Sequence, residues 1–126
     1  MIVAFQPSDL WRIDMVPRYA GMLDHPDLYR AAQLSIGSWA FSYRTPDWRI
    51  LASAGVAPGG LMWAFMGRDL RRDMVAITRF GRRMVSDYRK QVGPLHAQVD
   101  PDYGNAVRWV KALGFRLGAD GLWTYS

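Results

Sequence analysis

Few side chains in this sequence are able to transfer a proton near neutral pH, because its 126 residues include two histidines, no cysteine and no glutamate. His96 is the stronger candidate: it lies in an alternating stretch that predicts a strand, and the pKa of histidine suits general acid-base chemistry. The same pattern is also typical of an ordinary half-buried strand residue. His25 precedes Pro26 in a predicted surface turn. The absence of cysteine excludes disulfides, zinc-thiolate sites and cysteine nucleophiles, and no metal-ligand spacing or P-loop is present.

Positive charge is concentrated in residues 68–90. This segment holds eight basic and three acidic side chains, so it accounts for the whole formal net charge of +5. Local basicity favours a partner with an acidic macromolecular surface, and the predicted partner-binding residues are Arg79, Arg82, Arg83 and Arg89. A solvated helix face is the alternative interpretation. Nucleic acid is a further candidate partner on the basis of the basic helix. Tyrosine and tryptophan interleaved with arginine could indicate base stacking, but Trp39, Phe41 and Tyr43 are more simply explained as core and sheet-face residues.

The elements that would position these residues follow an α+β pattern within one domain, residues 1–126. Predicted strands cover residues 2–5, 39–43, 48–56, 61–66, 95–99 and 116–125, the last as a hairpin around Asp120–Gly121. Four helices are predicted. The first begins at Asp9, the second covers residues 28–34, the third runs from Asp69 to Val92, and the fourth ends before Gly114. The order is β-α-α-β-β-β-α-β-α-β(β), a mixed, mostly antiparallel sheet with flanking helices. No apolar run is long enough to cross a membrane, and no signal peptide is predicted.

The predicted helix from Asp69 to Val92 has an amphipathic pattern. Its apolar residues recur at helical spacing and predict the face that packs on the core. Gly81 marks a place where another element approaches closely. The apolar stripe consists of Met74, Ile77, Met84, Val85, Tyr88 and Val92.

Residues 99–115 predict a strand end, a short amphipathic helix and a helix stop. Gly114 is expected in the left-handed conformation that ends a helix, with Phe115 packing back on Val110. The sequence A-V-R-W-V-K-A-L-G-F over residues 106–115 resembles the last motif of the GCN5-related N-acetyltransferase (GNAT) family. It resembles more closely the A-I-R-W-L-K-x-L-G-F variant of acetyltransferase-like proteins encoded by tailed phages, including an internal virion protein. The resemblance is specific over residues 95–115, moderate over 35–60 and weak before Ser35.

The resemblance implies a site for acetyl-CoA between the fourth and fifth strands. In the family, the pyrophosphate lies on backbone N–H groups at the start of the long helix. That position here contains the candidate cofactor-binding residues Gly67, Arg68, Arg71 and Arg72. The family's second glycine is absent, and Asp69 as the N-cap would repel a phosphate. The arginines could hold a CoA phosphate by their side chains, bind an acidic partner or pair with neighbouring aspartates.

The resemblance also implies a general acid and a general base. Many active relatives carry a tyrosine where this chain has Val110, and valine cannot transfer a proton. Tyr103 is the candidate acid because it is the tyrosine nearest in sequence to Val110. It stands at the position where the family has an asparagine. Asn105 is the candidate replacement for that amide. Since the chain has no glutamate, His96 is the candidate base.

These observations predict a phage-type GNAT-fold protein with weak or no acetyltransferase activity, serving as a virion or assembly component in the virion or host cytoplasm. Its expected partners are phage structural or assembly proteins, with no membrane and no metal. Acetyl-CoA is the candidate cofactor, and the absence of any cofactor is the leading expectation. One alternative is an active acetyl-CoA-dependent N-acetyltransferase that works by proximity, because a thioester is already activated. The other is a basic nucleic-acid-binding module.

Overall fold

The computed structural model describes residues 1–6, 8–9, 12–13, 39–67, 70–99, 102 and 104–126. This part of the chain forms a seven-stranded sheet of order β1-β2-β3-β4-β5-β7-β6, with two helices. The strands are β1 (Ile2–Ala4), β2 (Ala40–Arg44), β3 (Ile50–Ala57), β4 (Leu61–Met66), β5 (Leu95–Ala97), β6 (Arg116–Leu117) and β7 (Trp123–Tyr125), and the helices are α1 (Met74–Val92) and α2 (Gly104–Ala112).

The sheet is mixed and mostly antiparallel, which confirms the predicted α+β class. β4 and β5 pair in parallel, whereas β1–β2, β2–β3, β5–β7 and β6–β7 pair antiparallel. Most of residues 9–38, where two helices are predicted, lies outside the described residues, so the complete element order stays a prediction. Neither α1 nor α2 combines the length and apolar character needed to cross a membrane.

The chain divides into two compact units. Unit 1 consists of Met1–Pro58 and Trp63–Arg71, and unit 2 consists of Gly59–Met62 and Arg72–Ser126. The core of unit 1 is built on aromatic rings, with Trp63 packed edge-on against Phe5 at a centroid distance of 4.9 Å. Ile50, Val56 and Phe65 are also buried in this unit.

Unit 1 also buries a polar cluster. Asp9 is only 4% exposed, and its Oδ2 accepts hydrogen bonds from the Ser42 hydroxyl at 2.8 Å and the Gln6 backbone N–H at 3.0 Å. The hydroxyls of Ser42 and Ser53 lie 2.7 Å apart, one on β2 and the other on β3. Because a buried polar group without a partner costs free energy, this chain of bonds ties the segment around Asp9 to the sheet.

The hairpin between β2 and β3 differs from its prediction at the second strand. The prediction begins that strand at Trp48, but β3 begins at Ile50. The reason is that the turn occupies Thr45 to Arg49, where the Thr45 N–H donates to the Arg49 carbonyl and the Trp48 N–H donates to the Thr45 carbonyl. The sequence predicts this turn over residues 44–47, and the structure confirms it in part, since Arg44 is the last residue of β2.

Helix α1 of unit 2 begins five residues later than predicted. Asp73, not Asp69, is its N-cap, and the first helical bond runs from the Ile77 N–H to the Asp73 carbonyl at 2.9 Å. The helix ends at Gly93 as predicted, with a φ of 96° and the Gly93 N–H bonded to the Arg89 carbonyl. The positive φ favours glycine at that position.

The apolar stripe of α1 is confirmed in its middle and wrong at its end. Ile77, Met84, Val85 and Tyr88 are buried, and Met74 is half-buried. Val92 is 53% exposed, because it lies in the last turn beside the chain reversal at Gly93.

Gly81 is the predicted point of close approach, and the structure confirms it. A Cβ on Gly81 would lie 2.9 Å from Leu113 Cδ2 and 3.5 Å from Trp109 Cζ2, so α1 and α2 pack closely there. The Trp109 indole N–H also donates to the Thr78 hydroxyl at 3.2 Å.

The predicted helix stop after α2 is confirmed in detail. The Phe115 N–H donates to the Val110 carbonyl, the Gly114 N–H donates to the Lys111 carbonyl, and Gly114 has a φ of 103°. These two bonds around a left-handed glycine form a Schellman motif. Val110 and Phe115 are both buried, and the terminal β6–β7 hairpin follows as predicted.

Candidate functional site

Gly67, the predicted phosphate-binding glycine, directly follows β4 in unit 1. Its backbone N–H donates to the Leu51 carbonyl on β3 at 2.9 Å. A backbone cradle for a phosphate needs N–H groups that are not bonded to the protein. This donor is already engaged within the fold, and Arg68 lies outside the described residues.

The start of α1 carries both signs of charge. Asp73 is the N-cap without a side-chain capping bond, the first turn holds no acidic residue, and Arg71 and Arg72 are exposed. The helix dipole attracts an anion there, whereas the carboxylate of Asp73 opposes a phosphate. Among the described residues, a phosphate could therefore be bound by side-chain cations. The glycine-lined backbone donors that the resemblance implies are not present among them.

Of the two predicted proton-transfer residues, the structure describes His96. His96 is the central residue of β5, paired with Leu61 of β4 and Thr124 of β7, and its N–H donates to the Gly60 carbonyl at 2.8 Å. Its half-buried side chain alternates with the buried Leu95 and Ala97. The imidazole makes no hydrogen bond to a described residue.

Tyr103, the candidate acid, lies outside the described residues. Val110, which stands where the resemblance expects a tyrosine, is only 3% exposed. Its backbone carbonyl accepts the Phe115 N–H of the helix stop. Val110 therefore contributes to the packing of α2 and to the hydrogen bonds that end this helix.

The exposed side of α1 is a basic face, formed by Arg79, Arg82, Arg83 and Lys90. All four side chains are exposed, and they fall within about 100° of arc on the helix. The buried residues of α1, such as Ile77 and Val85, occupy the opposite side. None of the four has an ion-pair partner in the part of the chain that the structure describes. The basic face therefore presents unpaired positive charge.

Arg89 does not belong to the basic face, which corrects its prediction as an exposed partner-binding residue. It is half-buried, and its Nε has no hydrogen-bond partner within the described ranges. The reason is helical geometry, because Arg89 is four residues after the buried Val85 and so lies toward the apolar stripe. The sequence interpretation omitted Lys90 from the predicted partner-binding residues, although its spacing from Arg79 and Arg83 indicates the same face.

The sequence interpretation also missed Trp48. This residue is 56% exposed at the tip of the β2–β3 hairpin and has a φ of 67°. The signal was present, because Pro-Asp at a turn is usually followed by glycine. Here tryptophan follows Pro46–Asp47. No group of three or more potential metal ligands occurs among the described residues.

The mixed sheet, the two helices of unit 2 and the motif over residues 106–115 have the character of a GNAT-like α+β fold. The solved structure of a tyrosine-to-phenylalanine mutant of the toxin AtaT, bound to the C-terminus of the antitoxin AtaR, is similar to this chain. The likeness covers 99% of this chain and 90% of that chain, with a TM-score of 0.61 and 15% identity. It shows a shared GNAT-like fold. No protein-family model and no curated protein matches the sequence.

This comparison overturns one expectation from the sequence. The chain was expected to be closest to acetyltransferase-like proteins of phages, but a solved structure of similar fold is that of a toxin bound to the C-terminus of an antitoxin. The expectation is wrong. It rested chiefly on a ten-residue motif, which specifies a helix and its stop.

Proposed function

We propose that this chain is a GNAT-fold binding protein with weak or no acetyltransferase activity. The observation that carries the proposal is the hydrogen bond from the Gly67 N–H to the Leu51 carbonyl. It uses the one glycine amide that the family resemblance assigns to the cofactor. Without a free backbone donor, the affinity for an anion such as the cofactor pyrophosphate falls. An arginine side chain replaces this donor only in part, because it must be ordered on binding.

Two further features support the proposal. The Asp73 carboxylate at the start of α1 disfavours a second anion at that helix end. The buried Val110 has no proton to give to a departing thiolate. Calorimetric titration with acetyl-CoA tests the proposal, and we expect no saturable heat up to about 1 mM cofactor.

We also propose that the basic face of α1 binds an acidic surface of a protein partner. Exposed, unpaired cations steer a partner of opposite charge and set the salt dependence of binding. Val75 and Ala76, both exposed, extend the same side of α1 and add apolar contact area, which favours a protein over a phosphate backbone. The AtaT toxin, whose fold is similar, is itself bound to a protein segment, the C-terminus of the antitoxin AtaR.

A charge-reversal pair tests the basic face. The test variant combines Arg79→Glu with Arg83→Glu. The control combines Lys111→Glu with Arg116→Glu, two exposed residues of unit 2, and changes the net charge of the protein by the same amount. We expect binding of a labelled polyglutamate peptide to weaken at least about tenfold in the first variant and less than about threefold in the control. Equal weakening in both variants would show that only net charge matters. Tighter binding of duplex DNA than of the peptide would favour the nucleic-acid alternative.

An active N-acetyltransferase is the second candidate, and His96 is the observation that favours it. Its half-buried imidazole lacks a hydrogen-bond partner among the described residues, so it is free to accept a proton from an amine. In that case a His96→Gln variant should lower kcat and remove the corresponding limb of the pH-rate profile. An unchanged profile would exclude His96 as the base.

A further inference from the structure

The loop between β2 and β3 is a tight turn whose last residue, Trp48, has a positive φ. The Trp48 N–H donates to the Thr45 carbonyl at 3.0 Å, and the Arg49 N–H donates to the Thr45 hydroxyl at 3.1 Å. Thr45 also donates its hydroxyl to the Asp47 carboxylate, and with Arg49 this bond lowers the pKa of Asp47. The loop is thus held in one conformation by its own hydrogen bonds.

Trp48 occupies the position of this loop where glycine is usual. Its φ of 67° is the only positive φ of a non-glycine residue in the described part of the chain. An L-residue of this size adopts that conformation at a cost of about 1–2 kcal/mol. Trp48 is 56% exposed, so more than half of its surface remains accessible to a ligand.

The indole ring is nevertheless held in place. The Arg44 guanidinium lies over the ring, 3.6 Å from its centroid, and Arg44 Nη1 donates to the Thr45 carbonyl at 3.0 Å. Arg12 Nη2 donates to the Trp48 carbonyl at 2.6 Å. No other ring or cation contact of Trp48 occurs among the described residues. One face of the indole is therefore covered by Arg44, and the residue as a whole is 56% exposed.

We propose that the exposed indole face of Trp48 is a stacking platform for a base of single-stranded nucleic acid. Base–aromatic stacking is insensitive to sequence, because every base has a flat π face. Arg12, which donates to the Trp48 carbonyl, and Arg49, whose Nε lies 3.4 Å from Asp47 Oδ2, are both exposed and supply cations for the phosphates of the bound strand. Three arginines against the one carboxylate of Asp47 give the hairpin tip a positive charge that complements this backbone.

The observations favour nucleic acid over an acidic peptide. A peptide carboxylate would be satisfied by the arginines alone and has no need of a rigid, flat ring. Nucleic acid presents a flat base and a phosphate at every residue, which is the combination displayed at the hairpin tip. This inference concerns unit 1 and does not rest on the proposed function of the basic face.

Fluorescence anisotropy with a labelled oligothymidylate of about twelve nucleotides tests the platform. We expect saturable, salt-dependent binding by the native chain. Trp48→Ala should weaken it at least about fivefold, which corresponds to about 1 kcal/mol. Trp48→Phe keeps a ring and should stay within about threefold of the native chain. Val92→Ala removes a similarly exposed apolar side chain from unit 2 and should change nothing.

Urea denaturation of a Trp48→Gly variant separates a binding role from a structural role. Glycine relieves the backbone strain, so the midpoint should be unchanged or higher while oligonucleotide binding is lost. A lower midpoint in Trp48→Gly would overturn the proposal, because tryptophan would then be kept for stability. Unaltered binding by Trp48→Ala, no binding by the native chain, or displacement of the oligonucleotide by polyglutamate at equal charge would each overturn it as well.

Discussion

The backbone N–H of Gly67 lies 2.9 Å from the carbonyl oxygen of Leu51 and donates a hydrogen bond to it. Leu51 stands at an irregularity of the β2–β3 ladder, where Tyr43 pairs with Ala52 but Arg44 pairs with Ile50. The bond thus ties the end of β4 to β3 at the position where a GNAT-like fold is expected to hold an anion. This relationship links the local packing of unit 1 to the proposed loss of acetyl-CoA binding.

The left-handed helix stop at Gly114 predicts a pair of unequal substitutions. Gly114→Ala should lower the free energy of unfolding by about 2 kcal/mol, because its Cβ meets both a positive φ and the Tyr125 ring at 3.0 Å. Gly121→Ala also has a positive φ but no atom within 4 Å, so it should cost about 1 kcal/mol. Urea denaturation measures both values. Equal losses would mean that the Tyr125 contact is unimportant.

Two glycines without positive φ differ in what a methyl group would meet. A Cβ on Gly55 would lie 2.6 Å from the Trp39 carbonyl oxygen, which is backbone and cannot move away. We expect Gly55→Ala to destabilise unit 1 by about 3 kcal/mol.

The matched control is Gly81→Ala, whose Cβ would meet the end of the Leu113 side chain. That side chain can shift, and alanine raises helix propensity by about 1 kcal/mol, so the net change should stay within about 1 kcal/mol. Thermal melts of the two variants provide the comparison. A Gly81→Ala loss as large as that of Gly55→Ala would contradict the account of helix packing.

The buried cluster around Asp9 predicts an order of stability losses. Ser42→Ala removes the hydroxyl that donates to Asp9 and also leaves Ser53 without this partner, so it should cost about 2–3 kcal/mol. Ser53→Ala leaves the Ser42–Asp9 bond in place and should cost about 1 kcal/mol. Chemical denaturation of both variants checks the order. The reverse order would indicate that Ser53, and not Ser42, anchors the cluster.

Several elements could be predicted from the sequence because their causes are local. The left-handed Gly114, the stop at Gly93 and the turn at Asp120–Gly121 depend on backbone preferences of single residues, and the structure confirms all three. The stripe of α1 follows from helical periodicity, and so does the close approach at Gly81. Val92 fits the same periodicity but is exposed because it is the last residue of α1, so the prediction was wrong there.

The misplaced features depend on contacts between distant residues. The partner of Gly67 is a carbonyl sixteen residues earlier on another strand, so no local motif reports it. The predicted N-cap of α1 was Asp69 and the observed N-cap is Asp73, because aspartate is favoured at an N-cap and the sequence does not rank the two positions. The platform at Trp48 was missed because an unfavourable residue at a turn position carries meaning only when its backbone angle is known.

Isothermal titration calorimetry with acetyl-CoA tests the central claim most directly. If the Gly67 amide is withheld from the cofactor and Asp73 opposes its phosphates, the native chain should show no saturable heat up to about 1 mM acetyl-CoA. Arg71→Gln with Arg72→Gln should then make no difference. A dissociation constant in the range of about 1–10 μM, lost in that double variant, would contradict the claim and establish that side-chain cations hold the cofactor.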